Sequence, residues 1–364
     1  MPERIRSLQT LRFLAITLVF LSHCSFIVGP TGGALFSSAG AFGVSVFICL
    51  SGFLTFIARS GKGAAPAPIF GLRRVGKKIW KFYPLHVVTF LAALPLATFA
   101  LSGGLVSRAE ALVAVINLCL LQSWVPDSAV YFSFNAVSWF LSTYVLMIIA
   151  TPFLMRLIAC LKRGRKEAHR SVFVGAIAAL AIIEFFLAAV SDGWSHAHWL
   201  LYIFPPVRLL DFGAGMLLGS LYCESDRFNS RTARKTFLGG GLSAMLAVAA
   251  CVAYKAQVGA AAPACFYSAI WLVPTLLIIG LFVVADRSGL SCLLGFTPLV
   301  ALGNISMEFF LVHQLVLRYV SRSCDVYAAP LVAAAVCYAL AWVLSWGYAK
   351  ADDAIRGAVR TSRS

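Results

Sequence analysis

Residues 11–28, LRFLAITLVFLSHCSFIV, shape the fold, because this run is apolar except for two ionisable side chains, Arg12 and His23. An α-helix turns about 100° per residue, so eleven residues bring both side chains to one face, about 16 Å apart. Ionisable groups inside a membrane helix are costly and usually face a bundle interior or a wet cavity. Singly, Arg12 could reach lipid phosphates and His23 could make an ordinary interhelical hydrogen bond. Together on one helix face, the two side chains predict a hydrated passage through the bundle that both of them line.

The whole chain has the composition of a membrane protein. Of its 364 residues, 60% are hydrophobic and only 12% are charged, and a soluble domain of this size could not bury so much apolar surface. Ten apolar runs are long enough to span a bilayer. They lie near residues 8–28, 39–58, 82–101, 137–160, 171–190, 199–222, 236–254, 267–285, 296–320 and 329–349. The sequence predicts an all-α, polytopic bundle of about ten transmembrane helices.

The basic residues set the expected orientation. A shorter apolar stretch, 111–121, could cross the membrane or re-enter it. If it re-enters, 23 of the 30 Lys and Arg residues lie on the cytosolic side, as the positive-inside rule requires. We therefore expect one membrane domain over 1–349, a basic cytosolic tail over 350–364, and both termini in the cytosol. Because the net charge of +16 lies mostly between spans, the expected partners are membrane lipid and an anionic cofactor, not nucleic acid.

A basic segment opens the third apolar run. Arg74, Lys78, Lys81 and Tyr83 lie in the stretch RRVGKKIWKFYP, residues 73–84. Lys78 and Lys81 are three residues apart on one helix face at the membrane boundary. This arrangement suits the phosphates of a nucleotide-like cofactor that docks from the cytosol. The cluster as a whole could instead be a simple determinant of topology.

Other polar residues interrupt later apolar runs. Arg208 and Asp211 follow Pro205 and Pro206, which should break or kink that helix, and their spacing of three predicts an ion pair within the bundle. His313 could be a second site residue or could make a buried interhelical hydrogen bond. The ten cysteines are scattered singly, so we expect neither a disulfide framework nor a metal site.

These motifs, in this order, resemble the integral-membrane acyltransferase 3 family, which includes bacterial O-acetyltransferases of surface polysaccharides. Arg12 and His23 resemble the family's motif of arginine, ten residues and histidine, and KIWKFYP, residues 78–84, resembles its Arg-x-x-Arg-x-Tyr-Pro motif. Further similar blocks are GVSVF (43–47), LSGFL (50–54), SWFL (138–141), Arg208 to Met216 and Ser306 to His313. Lysines replace the family's arginine pair, and Thr143 and Tyr144 stand where many relatives carry an acidic residue.

The resemblance implies an O-acyltransferase that moves an acyl group, acetyl above all, from cytosolic acyl-CoA (acetyl-CoA) to a hydroxyl of a cell-surface or exported glycan. It implies catalytic roles for His23, Arg12 and His313, with His23 as a general base or a transient acyl carrier. The expected cofactor-binding residues are Arg12, Arg74, Lys78, Lys81 and Tyr83. The expected acceptor-binding residues are Trp139, Ser142, Arg208 and Asp211. No metal is expected to take part.

Two other functions fit the same residues. A secondary transporter also places ionisable side chains and a proline-broken helix along a substrate path, although this sequence shows no internal repeat of matching halves. An inactive or sensory protein could keep the scaffold without the chemistry. Product formation that depends on acyl-CoA would distinguish an enzyme from both.

Overall fold

The computed structural model describes residues 5–24, 30–60, 72–97, 107–162, 169–223, 231–286, 291–323 and 329–361, and every regular element in these ranges is helical. The α-helices are α1 Ser7–His23, α2 Pro30–Ser60, α3 Leu72–Trp80, α4 Tyr83–Ala93, α5 Arg108–Leu118, α6 Ser128–Tyr131, α7 Trp139–Lys162, α8 His169–Ser191, α9 Pro205–Cys223, α10 Arg231–Val258, α11 Ala269–Asp286, α12 Ser291–Leu294, α13 Thr297–Asn304, α14 Ser306–Ser323 and α15 Ala329–Thr361. The predicted all-α fold is confirmed. The last helix continues through the predicted start of the tail at residue 350.

Six of the described helices are long and apolar enough to cross a membrane, namely α2, α7, α8, α10, α11 and α15. Two bent pairs, α3 with α4 and α13 with α14, bring the number to eight if each pair is one span. The helix α1 is apolar but has only 17 residues, and α9 carries Arg208 and Asp211 within its 19 residues. The structure therefore supports a multi-pass membrane protein with six to eight spans identified by these criteria.

The centre of the bundle is a close stack of α1, α2 and α9. Two glycines allow the short distance between α2 and α9. A Cβ atom on Gly52 would overlap the carbonyl oxygen of Phe212, and one on Gly215 would overlap the carbonyl oxygen of Cys49. Both obstacles are backbone atoms, which no change of rotamer can move. Because small residues let membrane helices approach closely, these glycines set the separation of α2 and α9.

Helix breaks occur where the sequence weakens the backbone hydrogen bonding. The helices α3 and α4 meet at 40°, and Pro84 lies in the first turn of α4, where its missing N–H does no harm. Pro205 opens α9 directly after Phe204, whose ψ of 121° separates α9 from the π-helical turn Trp199–Ile203. The prediction that the prolines interrupt this helix is therefore confirmed.

The segment that follows α4 folds back beside it. The helix α5 begins with a capping box, in which Ser107 Oγ accepts from the N–H of Glu110 and the carboxylate of Glu110 accepts from the N–H of Ser107. The other end of α5 is fastened to α4, because Tyr83 Oη donates to the carbonyl oxygen of Leu118 at 3.2 Å. Residues 111–121 thus form most of a helix that packs along α4 and then turns.

Candidate active site

Two histidines from opposite ends of the chain meet inside the bundle. His23 is the last residue of α1, and His313 lies in α14 and is fully buried. Nδ1 of His23 is 2.9 Å from Nε2 of His313, and Nδ1 of His313 is 2.7 Å from the carbonyl oxygen of Phe310. The structure therefore unites two residues that the sequence analysis had to consider separately.

These two hydrogen bonds determine which nitrogens carry hydrogen. A carbonyl oxygen can only accept, so Nδ1 of His313 is the donor to Phe310, and Nε2 of a neutral His313 is an acceptor. Nδ1 of His23 must then donate to it. A neutral His23 is left with an unprotonated Nε2, and this nitrogen is the one that can accept a proton from a bound ligand.

Aromatic rings surround the inner histidine. The ring centroid of His313 is 5.9 Å from that of Phe309, 5.7 Å from that of Phe310 and 6.3 Å from that of Phe20. In such an apolar environment a hydrogen bond is stronger than it would be in water. These three aromatic rings therefore favour the hydrogen bond that holds the two histidines in one orientation.

His23 also borders a cavity of about 810 Å³. Its walls come from α5, α14, the end of α1, the turn that follows α4 and the segment around α6. Its polar lining includes Glu110, Gln314 and Arg318. This volume lies in the range of small-molecule sites, roughly 300–1,000 Å³. Throughout the described ranges, no three or more His, Cys, Asp and Glu side chains are arranged to hold a metal ion.

Two opposite charges lie at the cavity wall. Hydrogen bonds from the backbone and side chain of Ser107 lower the pKa of Glu110 below its ordinary value, so its carboxylate is ionised at neutral pH. Arg318 donates from Nη1 to the carbonyl oxygen of Phe134 at 2.7 Å and from Nη2 to that of Leu96 at 2.8 Å. The guanidinium therefore ties two parts of the wall to α14.

The sequence analysis missed Gln314 and Arg318. A signal for them existed, because residues four apart share a helix face and both interrupt an otherwise apolar part of α14. Both side chains border the cavity, so this face of α14 is its polar side.

Arg12 does not belong to the lining of this cavity. It is half-buried in α1, its Nη1 is 3.3 Å from Oε1 of Gln9, and its charge acts on Tyr144 of α7. The guanidinium therefore lies toward a neighbouring helix inside the bundle. That Arg12 and His23 border one continuous passage stays a prediction.

The predicted cofactor-binding cations cluster near the junction of α3 and α4. Arg74 and Lys81 are exposed, and Lys78 is half-buried. The charges of Arg59 and Lys81 both act on Lys78, so Arg59 at the end of α2 joins this group, although the sequence analysis did not include it. Tyr83 has its hydroxyl on the end of α5. None of these residues borders the cavity at His23.

Trp139 and Ser142, two of the predicted acceptor-binding residues, are buried at the start of α7. Oγ of Ser123 donates to the carbonyl oxygen of Trp139 at 2.7 Å, and Oγ of Ser142 accepts from the backbone N–H of Ser123 at 3.4 Å. These bonds fasten a preceding turn to α7. Neither residue borders the cavity at His23, so a role in acceptor binding stays a prediction.

Arg208 and Asp211 form the predicted ion pair, at 3.0 Å between Nη1 and Oδ2, and both side chains are fully buried. Nη1 of Arg208 also donates to Ser268 Oγ at 2.7 Å, and Ser268 in turn donates to Oε2 of Glu184 at 2.8 Å. Glu184 is a fully buried carboxylate that the sequence analysis missed, although no other acidic residue interrupts its apolar run. Asp211 thus binds the guanidinium directly and Glu184 is linked to it through Ser268, away from the cavity at His23.

Comparison with known proteins identifies the family of the chain. Residues 5–350 match an acyltransferase domain. The chain belongs to the acyltransferase 3 family. The acyltransferase MdmB of Streptomyces mycarofaciens is similar, with 32% identity over 340 residues that cover 88% of this chain and 80% of MdmB, while no solved structure matches. Membership of the acyltransferase 3 family makes this protein a membrane acyltransferase.

Proposed function

We propose that this acyltransferase moves an acetyl group from cytosolic acetyl-CoA to a hydroxyl group of a glycan bound in the cavity at His23. One observation carries the proposal. His313 fixes the tautomer of His23, so that Nε2 of a ring bordering the cavity is left to accept a proton. A hydroxyl acceptor needs such a base in order to attack a thioester.

The reaction balances with these groups alone. The acceptor oxygen bonds to the thioester carbonyl carbon while its proton passes to Nε2 of His23. The C–S bond then breaks, and the proton on His23 goes to the departing thiolate of CoA. While His23 is charged, its Nδ1–H bond to His313 is charge-assisted and therefore stronger. General-base catalysis of this kind contributes about 10²–10⁴-fold to the rate.

A covalent route would use the same nitrogen. Nε2 of His23 would attack the thioester, release CoA and hold the acetyl group as an acyl-imidazole, which the acceptor hydroxyl then attacks. Rapid quenching of the protein with labelled acetyl-CoA in the absence of acceptor separates the two routes. Label on a peptide that contains His23 supports the covalent route, and its absence supports direct transfer.

The cation cluster supports the donor side of the proposal. Lys78, Lys81 and Arg74 concentrate positive charge near the start of α4, where the phosphates of CoA would approach from the cytosol. Tyr83 adjoins this cluster. Arg12 lies three turns before His23 on α1, and it would hold part of the CoA chain on the way to the thioester.

The proposal also includes a topology in a bacterial inner or plasma membrane, with both termini in the cytosol. The helices α1 and α9 would join the six spans and the two bent pairs to give ten crossings, and α5 would enter and leave the membrane from the outer side. Supporting this orientation, Arg59 at the end of α2 and Lys162 at the end of α7 would then lie on the cytosolic side. The cavity at His23 would open toward the outer face, where an exported glycan is found.

Replacement of His23 by Ala tests the proposal. Purified protein in proteoliposomes is given labelled acetyl-CoA and a cell-envelope glycan fraction, and His23→Ala should abolish transfer while its size-exclusion profile stays normal. The matched control is His196→Ala, at an exposed histidine in the turn after α8, which should keep full activity. Full activity in His23→Ala would refute the proposal. Glycan flux without acetyl-CoA would support the transporter instead.

A further inference from the structure

Gln314 is a polar residue of the cavity whose hydrogen bonding is incomplete. It follows His313 on α14 and borders the same cavity as His23. Its Oε1 atom is buried and has no hydrogen-bond partner among the described residues. Because buried polar atoms in proteins nearly always have a partner, a ligand in the cavity is the natural source of the missing donor.

The charged residues of the cavity wall are already engaged with the protein. Both terminal nitrogens of Arg318 donate to backbone carbonyl oxygens, on Phe134 and Leu96. The carboxylate of Glu110 accepts from the N–H of Ser107. Arg318 and Glu110 therefore build the wall, whereas the carboxamide oxygen of Gln314 is left for whatever the cavity holds.

The chemistry of an amide oxygen restricts the ligand. Oε1 accepts a hydrogen bond, so its partner must present an O–H or N–H group. In the function proposed above, Nε2 of His23 takes the proton of the hydroxyl that is acylated. A ligand that satisfies His23 and Gln314 together therefore carries a second donor besides the hydroxyl that is acylated, and a vicinal diol is the simplest acceptor of this kind.

We infer that Gln314 determines acceptor specificity by selecting vicinal diols, in which a second hydroxyl stands beside the one that is acylated. The inference rests on the proposed function and adds the chemical class of the acceptor to it. Phe132 supports this assignment, because its ring borders the same cavity and is 40% exposed. An aromatic face of this kind packs against the apolar face of the ring that carries the diol.

A pair of small alcohols isolates the second hydroxyl. trans-Cyclohexane-1,2-diol and cyclohexanol are offered together, with labelled acetyl-CoA, to the full-length protein in proteoliposomes. The ratio of the two acetate esters, measured by mass spectrometry, gives the ratio of the two kcat/KM values and does not depend on how much protein is folded. The wild type should favour the diol about tenfold beyond the statistical advantage of its two hydroxyls, the effect of roughly one hydrogen bond.

Three variants complete the experiment. Gln314→Leu should reduce the preference to the statistical ratio, and Gln314→Glu, which keeps an acceptor oxygen in the same place, should retain the preference. Arg322→Gln, at an exposed position on the same helix, is the control and should behave like the wild type. A wild type without diol preference, or a Gln314→Leu variant that keeps it, would overturn the inference and leave the proposed function standing. A wild type that acetylates the glycan fraction but forms neither ester would overturn the inference alone, and one that forms no acetylated product from either would overturn both.

Discussion

Loss of Arg208 should destabilise the protein more than neutralisation of Glu184, the second acidic residue near it. Its guanidinium lies 3.0 Å from Asp211, 2.7 Å from Ser268 and 3.1 Å from Ser45. Without the guanidinium, the carboxylate of Asp211 would stay fully buried and lose the cation that it is paired with. Removal of one partner from a buried ion pair costs about 3–5 kcal/mol. We expect Arg208→Met to lower the free energy of unfolding by about that amount.

The two carboxylates are not equivalent in this argument. One guanidinium balances one carboxylate, so Glu184→Gln leaves a neutral Arg208–Asp211 pair and should change the free energy of unfolding by less than about 1 kcal/mol. The double variant Arg208→Met/Asp211→Leu removes both members of the pair. Since replacement of a buried ion pair by apolar residues is often neutral, the double variant should recover most of the stability that Arg208→Met loses.

Heating of the detergent-purified protein, followed by size-exclusion chromatography, measures the order of these stabilities. Arg234→Met, at an exposed position of α10, is the matched control and should leave the midpoint unchanged. If the double variant is no more stable than Arg208→Met, the reasoning from charge balance is wrong. If the variants keep wild-type stability and raise the KM for the acceptor, Arg208 and Asp211 bind the acceptor, as the family resemblance implied.

The remaining predictions concern helix packing and donor binding. Gly215→Ala places a Cβ against the carbonyl oxygen of Cys49 and should lower stability by about 1–3 kcal/mol in the same heating assay. Gly175→Ala, which meets no atom within 4 Å, should leave stability equal or raise it by up to about 1 kcal/mol; equal losses in both variants would contradict the packing argument. Reversal of charge at Lys78 and Lys81 should raise the KM for acetyl-CoA about tenfold or more and leave that for the acceptor unchanged. An unchanged KM for acetyl-CoA would indicate that these lysines only determine the orientation of the protein in the membrane.

Hydropathy and spacing predicted the features of this fold that depend on residues near each other in the chain. Each of the ten predicted apolar runs contains a helix or part of one, because apolar length along the chain is what a bilayer selects. The Arg208–Asp211 pair was predictable for a similar reason, since both residues lie on one helix. Ser268 binds the same guanidinium from another element, and Glu184 binds Ser268 from a third; no spacing in one sequence reports such a meeting.

The histidine pair shows the same limit more clearly. His23 and His313 each stood out as a rare ionisable residue in an apolar run, but their contact spans 290 residues. It depends on how α1 packs against α14, which is a property of the folded bundle. The cavity was unpredictable for a related reason, because its walls come from five separate parts of the chain.

The segment between α4 and α7 supplies much of the cavity wall, whereas the histidine pair resides on α1 and α14. In the proposed function, acid–base chemistry and most of the shape of the cavity would thus be encoded in different stretches of the gene. Exchange of residues 107–136 for the equivalent stretch of a relative should therefore redirect the enzyme to another acceptor without rebuilding its reaction. With such a division, changes in residues 107–136 could alter the acceptor while the catalytic histidines stay the same.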